Sequence, residues 1–154
     1  MRYLIFLFFF LISPRFCEAQ LLKSNQRFTK ADTLRGMLTP LRTCYDVNYY
    51  HLDLKVDLDK KHINGSNLFR FTAVADFKDL QFDLFDNYWI ERIDYRGQNL
   101  QFRREFNAVF ISFPEILKKE SKHEFTVFYS GTPMVAKSAP WDGGFVFSKD
   151  SQGK

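Results

Sequence analysis

From Tyr49 onward the chain alternates. Leu52, Leu54, Val56 and Leu58 fall on every second position, with His51, Asp53, Lys55 and Asp57 between them. A period of two puts the two sets on opposite faces of an extended strand, whereas a helix would scatter both around its circumference. The pattern predicts a half-buried strand with one polar face. Asp59-Lys60-Lys61-His62 then turns the chain. Ile63 to Ala73 returns with Phe69, Phe71 and Ala73 on one face and Arg70 and Thr72 on the other, completing a long antiparallel hairpin.

The same signal recurs roughly every ten residues. Leu80–Leu84 alternates, Ile90–Tyr95 reads as a strand, and Arg96-Gly97-Gln98-Asn99 turns. Leu100–Arg104 pairs with Ala108–Phe113, which Pro114 is expected to end. His123–Tyr129 is a further strand, closed by Ser130-Gly131-Thr132-Pro133. Short strands punctuated by turn residues predict an all-β, antiparallel β-sandwich. No helix-period stretch of useful length follows Gln20. Residues 20–44 are polar with little alternation and read as an extended N-terminal arm laid over a neighbouring surface. A short helical turn is expected at Thr33–Met37, capped by Asp32 and weakened by Gly36.

The first nineteen residues are a separate matter. Met1-Arg2 is followed by ten apolar residues, Tyr3 to Ile12, then Pro14 and the Cys17-Glu18-Ala19 end. This is the pattern of a secretory signal peptide over residues 1–19, cleaved between Ala19 and Gln20. Ten residues of helix span about 15 Å, half of a bilayer's hydrocarbon core, so a membrane anchor does not fit. The mature chain is therefore expected to be exported, to the periplasm, the cell surface or the medium, with no membrane span after cleavage. Cleavage would take Arg2, Arg15 and Glu18 with it, so the net charge of +4 falls by one. The remaining charge is interspersed, with no basic stripe, and does not point to nucleic acid. Cys44 is then the single cysteine, so no internal disulfide can form and the fold must rest on its apolar core. Phenylalanine supplies much of it: of 19, five (Phe6, Phe8, Phe9, Phe10, Phe16) leave with the signal peptide.

Pro140-Trp141-Asp142-Gly143-Gly144 predicts a tight turn feeding a new strand at Phe145-Val146-Phe147. The sequence ends seven residues later, at Lys154, without a partner for that strand. The β domain of residues 45–154 is on this reading incomplete at its C-terminus.

Catalytic chemistry finds little support. His51, His62 and His123 are not spaced as metal ligands, no HExxH helix exists, and all three are expected to be solvated or at strand edges. There is no GxSxG elbow. Cys44, with His51 further along, is expected to be simply packed. The carboxylate pairs Asp53 and Asp57, Asp83 and Asp86, Glu91 and Asp94 arise from strand periodicity alone. Tyr49, Tyr50, Tyr88, Trp89, Trp141, Phe145 and Phe147 offer either core and interface packing or a surface for stacking on sugars or peptides. Asn64-Gly65-Ser66 matches a glycosylation acceptor.

Taken in order, several short patterns resemble the aminopeptidase N family of zinc metallopeptidases. Tyr49 to Asp57 followed by Ile63-Asn64-Gly65-Ser66 is similar to the opening hairpin of that family's N-terminal domain, with its Y-x-L-x-L-x-V-D and I-x-G spacing. Phe125 to Gly131 resembles its L-x-I-x-Y-x-G strand. Ala31 to Gly36, Cys44-Tyr45-Asp46-Val47 and Trp141 to Phe145 resemble exported members of the Bacteroidetes type. The resemblance implies a saddle-like β domain packed against a catalytic domain in the same polypeptide. That catalytic domain would hold zinc on an HExxH helix and remove residues from peptide N-termini. This chain has neither HExxH nor a GxMEN-type loop, so it is expected to hold no catalytic residue, metal or cofactor of its own. Its contribution would be to wall one side of the cleft, touching the peptide substrate only indirectly. Trp141, Asp142, Gly143, Gly144 and Phe145 are the expected cleft neighbours. The alternative is a free-standing exported β-sandwich module that binds peptide or glycan through its aromatics.

Overall fold

The computed structural model describes residues 27–153, so the expected signal peptide over residues 1–19 and residues 20–26 of the arm lie outside the described residues. Eight strands follow two short helices: β1 Tyr45–Asp57, β2 His62–Ala73, β3 Phe77–Asp83, β4 Tyr88–Tyr95, β5 Gln98–Asn99, β6 Phe102–Glu105, β7 Ala108–Leu117 and β8 Lys122–Gly131. They form two antiparallel sheets. The larger has the order β1-β2-β8-β4-β5 and the smaller β3-β7-β6. The last long strand, β8, thus lies in the middle of the larger sheet, paired on one side to β2 and on the other to β4.

Phenylalanine joins the layers. Phe69 and Phe71 on β2 and Phe125 on β8 point from the larger sheet, and Phe82 on β3 and Phe113 on β7 meet them from the smaller. Phe69 stacks on Phe125 with ring centres 4.7 Å apart, and Phe82 lies 5.7 Å from Phe125. Tyr95 of β4 meets Phe113 edge-on at 4.9 Å. Leu80, Ile93, Val109, Ile111, Leu117 and Val127 fill the space between these rings.

The expected hairpin is present, with β1 running antiparallel to β2 from the Tyr45–Ala73 pair to the Asp57–His62 pair. The expected half-buried character of β1 is not. Leu52, Leu54, Val56 and Leu58 are 57%, 44%, 49% and 73% exposed. The smaller sheet is the reason. It has only three strands, and its rings cover the Phe69, Phe71 and Phe125 end of the larger sheet, so the hairpin projects past it.

Three boundaries also differ. Pro114 does not end β7, which continues to Leu117. Asp79 pairs with Ser112 but Phe77 with Leu117, so the proline falls in an irregular stretch where its missing N–H costs no ladder bond. Ser130-Gly131 continue β8 instead of breaking it. The predicted strand at Phe145–Phe147 is reduced to one isolated parallel bridge between Val135 and Phe145.

The arm carries α1, Lys30–Gly36, and α2, Pro40–Thr43. Asp32 is not the cap of α1; Thr29 is. Asp32 N–H donates to Thr29 Oγ1 at 3.3 Å while Asp32 Oδ2 accepts from Thr29 N–H at 2.9 Å, a reciprocal box that satisfies both ends. The arm lies on the chain's own β3. Arg42 donates to both carboxylate oxygens of Asp83 at 2.7 Å and to Leu34 O at 2.6 Å. The buried Gln81 amide donates to Leu34 O at 3.0 Å. Cys44 is buried at the arm's end, and burial pushes its thiol up to about 11.

Candidate functional site

Four of the five expected cleft neighbours, all but Trp141, line one side of a cavity of about 240 Å³. Its walls are Asp142, Gly143, Gly144 and Phe145 together with Met134, Phe85, Asn87 and Tyr88. Each wall has its own local cause. The Asp142 carboxylate accepts from Lys137 N–H at 2.6 Å and Ser138 N–H at 2.8 Å, folding residues 137–142 into a turn that includes a cis Ala139–Pro140 bond. Those backbone donors, Ser138 first, hold the carboxyl below its usual range. Gly143 and Gly144 then take φ of +66° and +105°, a region closed to most side chains. A Cβ on Gly144 would also stand 2.9 Å from Met134 O and Ala136 N. The two glycines thereby let Phe145 reach the 134–136 segment, where its N–H donates to Met134 O at 2.8 Å and its carbonyl accepts from Ala136 N–H at 3.0 Å.

Arg104 of β6 sets the opposite wall. Its guanidinium donates to Tyr88 O at 2.6 Å, Leu84 O at 2.9 Å and Phe85 O at 3.2 Å, tying down the connection between β3 and β4. Asn87 Nδ2 donates to Thr132 O at 2.6 Å, and Asn87 Oδ1 is buried without a partner among the described residues. Trp141, by contrast, is 86% exposed and stands outside the cavity wall, as does Trp89 at 74%.

This arrangement can bind but supplies no acid, base or nucleophile. The one carboxylate lining it, Asp142, is already engaged by two backbone donors. The side chains Phe85, Tyr88, Met134 and Phe145 are apolar or aromatic, and burial raises the Tyr88 hydroxyl above its ordinary value. Sequence patterns pointed to the Asp142–Phe145 wall and, at Tyr88, to part of the other. Phe85, Asn87 and Met134 are brought in by the fold and carry no local signal of their own.

The other candidate residues are dispersed. His51 is exposed on β1 and His62 closes the β1–β2 turn. His123 is not at an edge: it lies half-buried on the central β8. Tyr95 OH is 2.9 Å from its Nδ1, and Ser121 Oγ is 2.7 Å from its Nε2. Ser121 Oγ also donates to Lys118 O. The serine proton is therefore spent on a carbonyl. The imidazole must carry its own proton on Nε2 to donate to Ser121, leaving Nδ1 to accept from Tyr95. The trio is a closed hydrogen-bonded lock, not an activated hydroxyl. Burial, with Arg96 nearby, lowers the His123 pKa from its ordinary value. Members of the carboxylate pairs are engaged locally: Asp57 and Asp94 accept from Lys60 N–H and Gly97 N–H at 2.9 Å, and Asp83 holds Arg42. Among the described residues no group of three or more His, Cys, Asp or Glu side chains is placed to hold a metal ion.

No family profile matches the sequence, and no curated protein matches it. Solved structures do. An M1 zinc metallopeptidase from Deinococcus radiodurans matches 65% of this chain at 20% identity with a TM-score of 0.56. A variant of the enzyme from the same organism, bound to a Tyr-Ser-Ala substrate, matches 66% of the chain at 19% identity with a TM-score of 0.57. A two-domain M1 zinc metallopeptidase variant bound to L-arginine matches the same share at 20% identity and 0.56. The chain has the fold of one section of an M1 zinc metallopeptidase. The match takes in only 23% to 24% of those structures' own length, so the M1-like unit corresponds to about a quarter of them.

Proposed function

We propose that this chain is the exported, non-catalytic β domain of a zinc metallo-aminopeptidase, and that it walls the cleft of a catalytic domain carried by the same polypeptide. The uncovered apolar face of β1 carries the reading. Leu52, Leu54, Val56 and Leu58 form a continuous stripe that the smaller sheet leaves in water, and a stripe of that kind marks a surface made to be covered. A catalytic domain seated there accounts for it. The cavity beside Asp142–Phe145 would then border the cleft, with Trp141 toward it. Zinc, held by the catalytic domain, supplies the Lewis acid and activated water that hydrolysis needs; this chain's residues shape access. The free-standing module has one observation in its favour, the exposure of Trp89 and Trp141.

Two measurements separate them. Reading the coding sequence beyond residue 154 should reveal an in-frame HExxH motif. Purified chain should release no product from aminoacyl chromogenic substrates, with or without added zinc. An intact locus lacking HExxH, or zinc-dependent turnover by the chain alone, would overturn the proposal.

A further inference from the structure

β1 is the outer strand of the larger sheet, and its side away from β2 pairs with no other strand among the described residues. From Tyr49 to Asp57 its register against β2 is unbroken, and every residue from Tyr49 to Val56 is exposed. A straight edge of that length offers a row of free N–H and C=O groups to any strand that fits. Charges on an edge ordinarily deter such pairing. On β1 they are instead placed symmetrically about Leu54.

If a second β1 runs antiparallel beside the first with Leu54 facing Leu54, residues equidistant from that centre meet. Asp53 faces Lys55 of the second copy and Lys55 faces its Asp53. His51 faces Asp57, and Leu52 faces Val56. Every charged position meets an opposite or hydrogen-bonding partner, and every apolar position an apolar one. The adjoining in-phase registers fail. Centring on Asp53 sets that carboxylate against itself. Centring on Lys55 sets two ammonium groups together and Asp53 against Asp57. Like charges directly opposite are destabilising, so the charges favour the Leu54 centre over both of its neighbours.

We propose that two copies of this chain join β1 to β1 across a two-fold axis centred on Leu54, making one continuous sheet. The edge is used through its backbone, so the proposal stands apart from the aminopeptidase reading, which concerns the face of the same strand. The two apolar stripes meet side by side on one surface, doubling its width.

The test is sedimentation velocity of the full chain over a concentration series, with hydrogen exchange read at residues 50–58. Dimer should grow with concentration, and those amides should gain protection with it. Neither Asp53 nor Lys55 uses its side chain in an ion pair or hydrogen bond within the monomer among the described residues, so exchanging them leaves the fold intact. Asp53→Lys or Lys55→Asp alone should weaken the dimer about tenfold, since each turns two attractive pairs into repulsive ones. The double exchange D53K/K55D should restore it. A monomer at every concentration, single variants that dimerise like the parent, or a double variant that fails to recover each overturns the proposal. Dimerisation through the apolar face would show itself as indifference to the charge exchanges.

Discussion

Replacing Phe125 by alanine, and separately Leu54 by alanine, distinguishes two positions that look alike in an alternating sequence. Phe125 is 1% exposed and touches rings from both sheets, with Phe69 stacked at 4.7 Å and Phe82 at 5.7 Å. Truncating a ring so enclosed loses its transfer energy and leaves a cavity, about 3–5 kcal/mol. Leu54 is already 44% exposed. Full burial of a leucine is worth about 1.5–3 kcal/mol, so a side chain that keeps nearly half its surface in water forfeits about 1 kcal/mol. Urea unfolding followed by far-ultraviolet circular dichroism, at protein concentrations dilute enough to keep the chain monomeric, reads both. With a slope of about 2 kcal/mol/M, the midpoint should fall by about 2 M for Phe125→Ala and about 0.5 M for Leu54→Ala. Equal shifts would refute the reasoning, because Leu54 would then be enclosed in solution and the stripe on β1 would not be a free surface.

Arg104→Met strips three carbonyls of their donor while keeping the length of the side chain. It should cost about 1–3 kcal/mol in thermal unfolding and raise hydrogen exchange selectively in the 84–88 connection, the wall of the cavity. His123 titrates in the opposite sense to a salt-bridged histidine. Its folded pKa lies below the ordinary value, so the unfolded chain binds the proton more readily. The lock's stability is present above the ordinary histidine range and is lost as pH falls through it toward the folded pKa. The melting temperature of the parent should therefore drop between about pH 7 and pH 5 by more than that of His123→Gln, which has no proton to take up. Identical acid slopes would refute the lock.

Strand existence was legible from alternation because a period of two is a local property: Leu52 to Val56, Phe69 to Ala73 and Phe125 to Tyr129 all lie in strands. What alternation cannot carry is whether a second layer reaches the apolar face. Leu54 and Phe125 differ only in what lies above them, and that depends on a three-stranded sheet built from residues 77–117. Pro114 misled for a related reason. A proline excludes a ladder bond, but an irregular register supplies a place where none is needed. At α1 the Thr29 and Asp32 spacing was readable as a reciprocal box, and taking Asp32 as the cap moved the helix start by three residues. His123 was placed correctly on a strand, yet its surroundings come from Tyr95 and Ser121, one of them on a neighbouring strand. The candidate cavity divides the same way. Its Asp142–Phe145 side is written in turn chemistry, whereas Phe85 and Asn87 arrive there through Arg104, whose carbonyl partners lie 16 to 20 residues away.

The position of β8 has a consequence for the order in which the molecule can be made. The hairpin of β1 and β2 and the ribbon of β4 and β5 have no ladder between them except through β8, and β8 is the last of these eight strands to leave the ribosome. Until residues 122–131 are available, Phe125 and Val127 are missing from the core and the larger sheet exists only as two unconnected halves. Closing it means pairing β8 with β2 across more than fifty residues of chain, at separations such as Arg70 to Glu124, a slow, non-local step. A chain threaded through a membrane N-terminus first would thus keep the larger sheet open until residues 122–131 had passed.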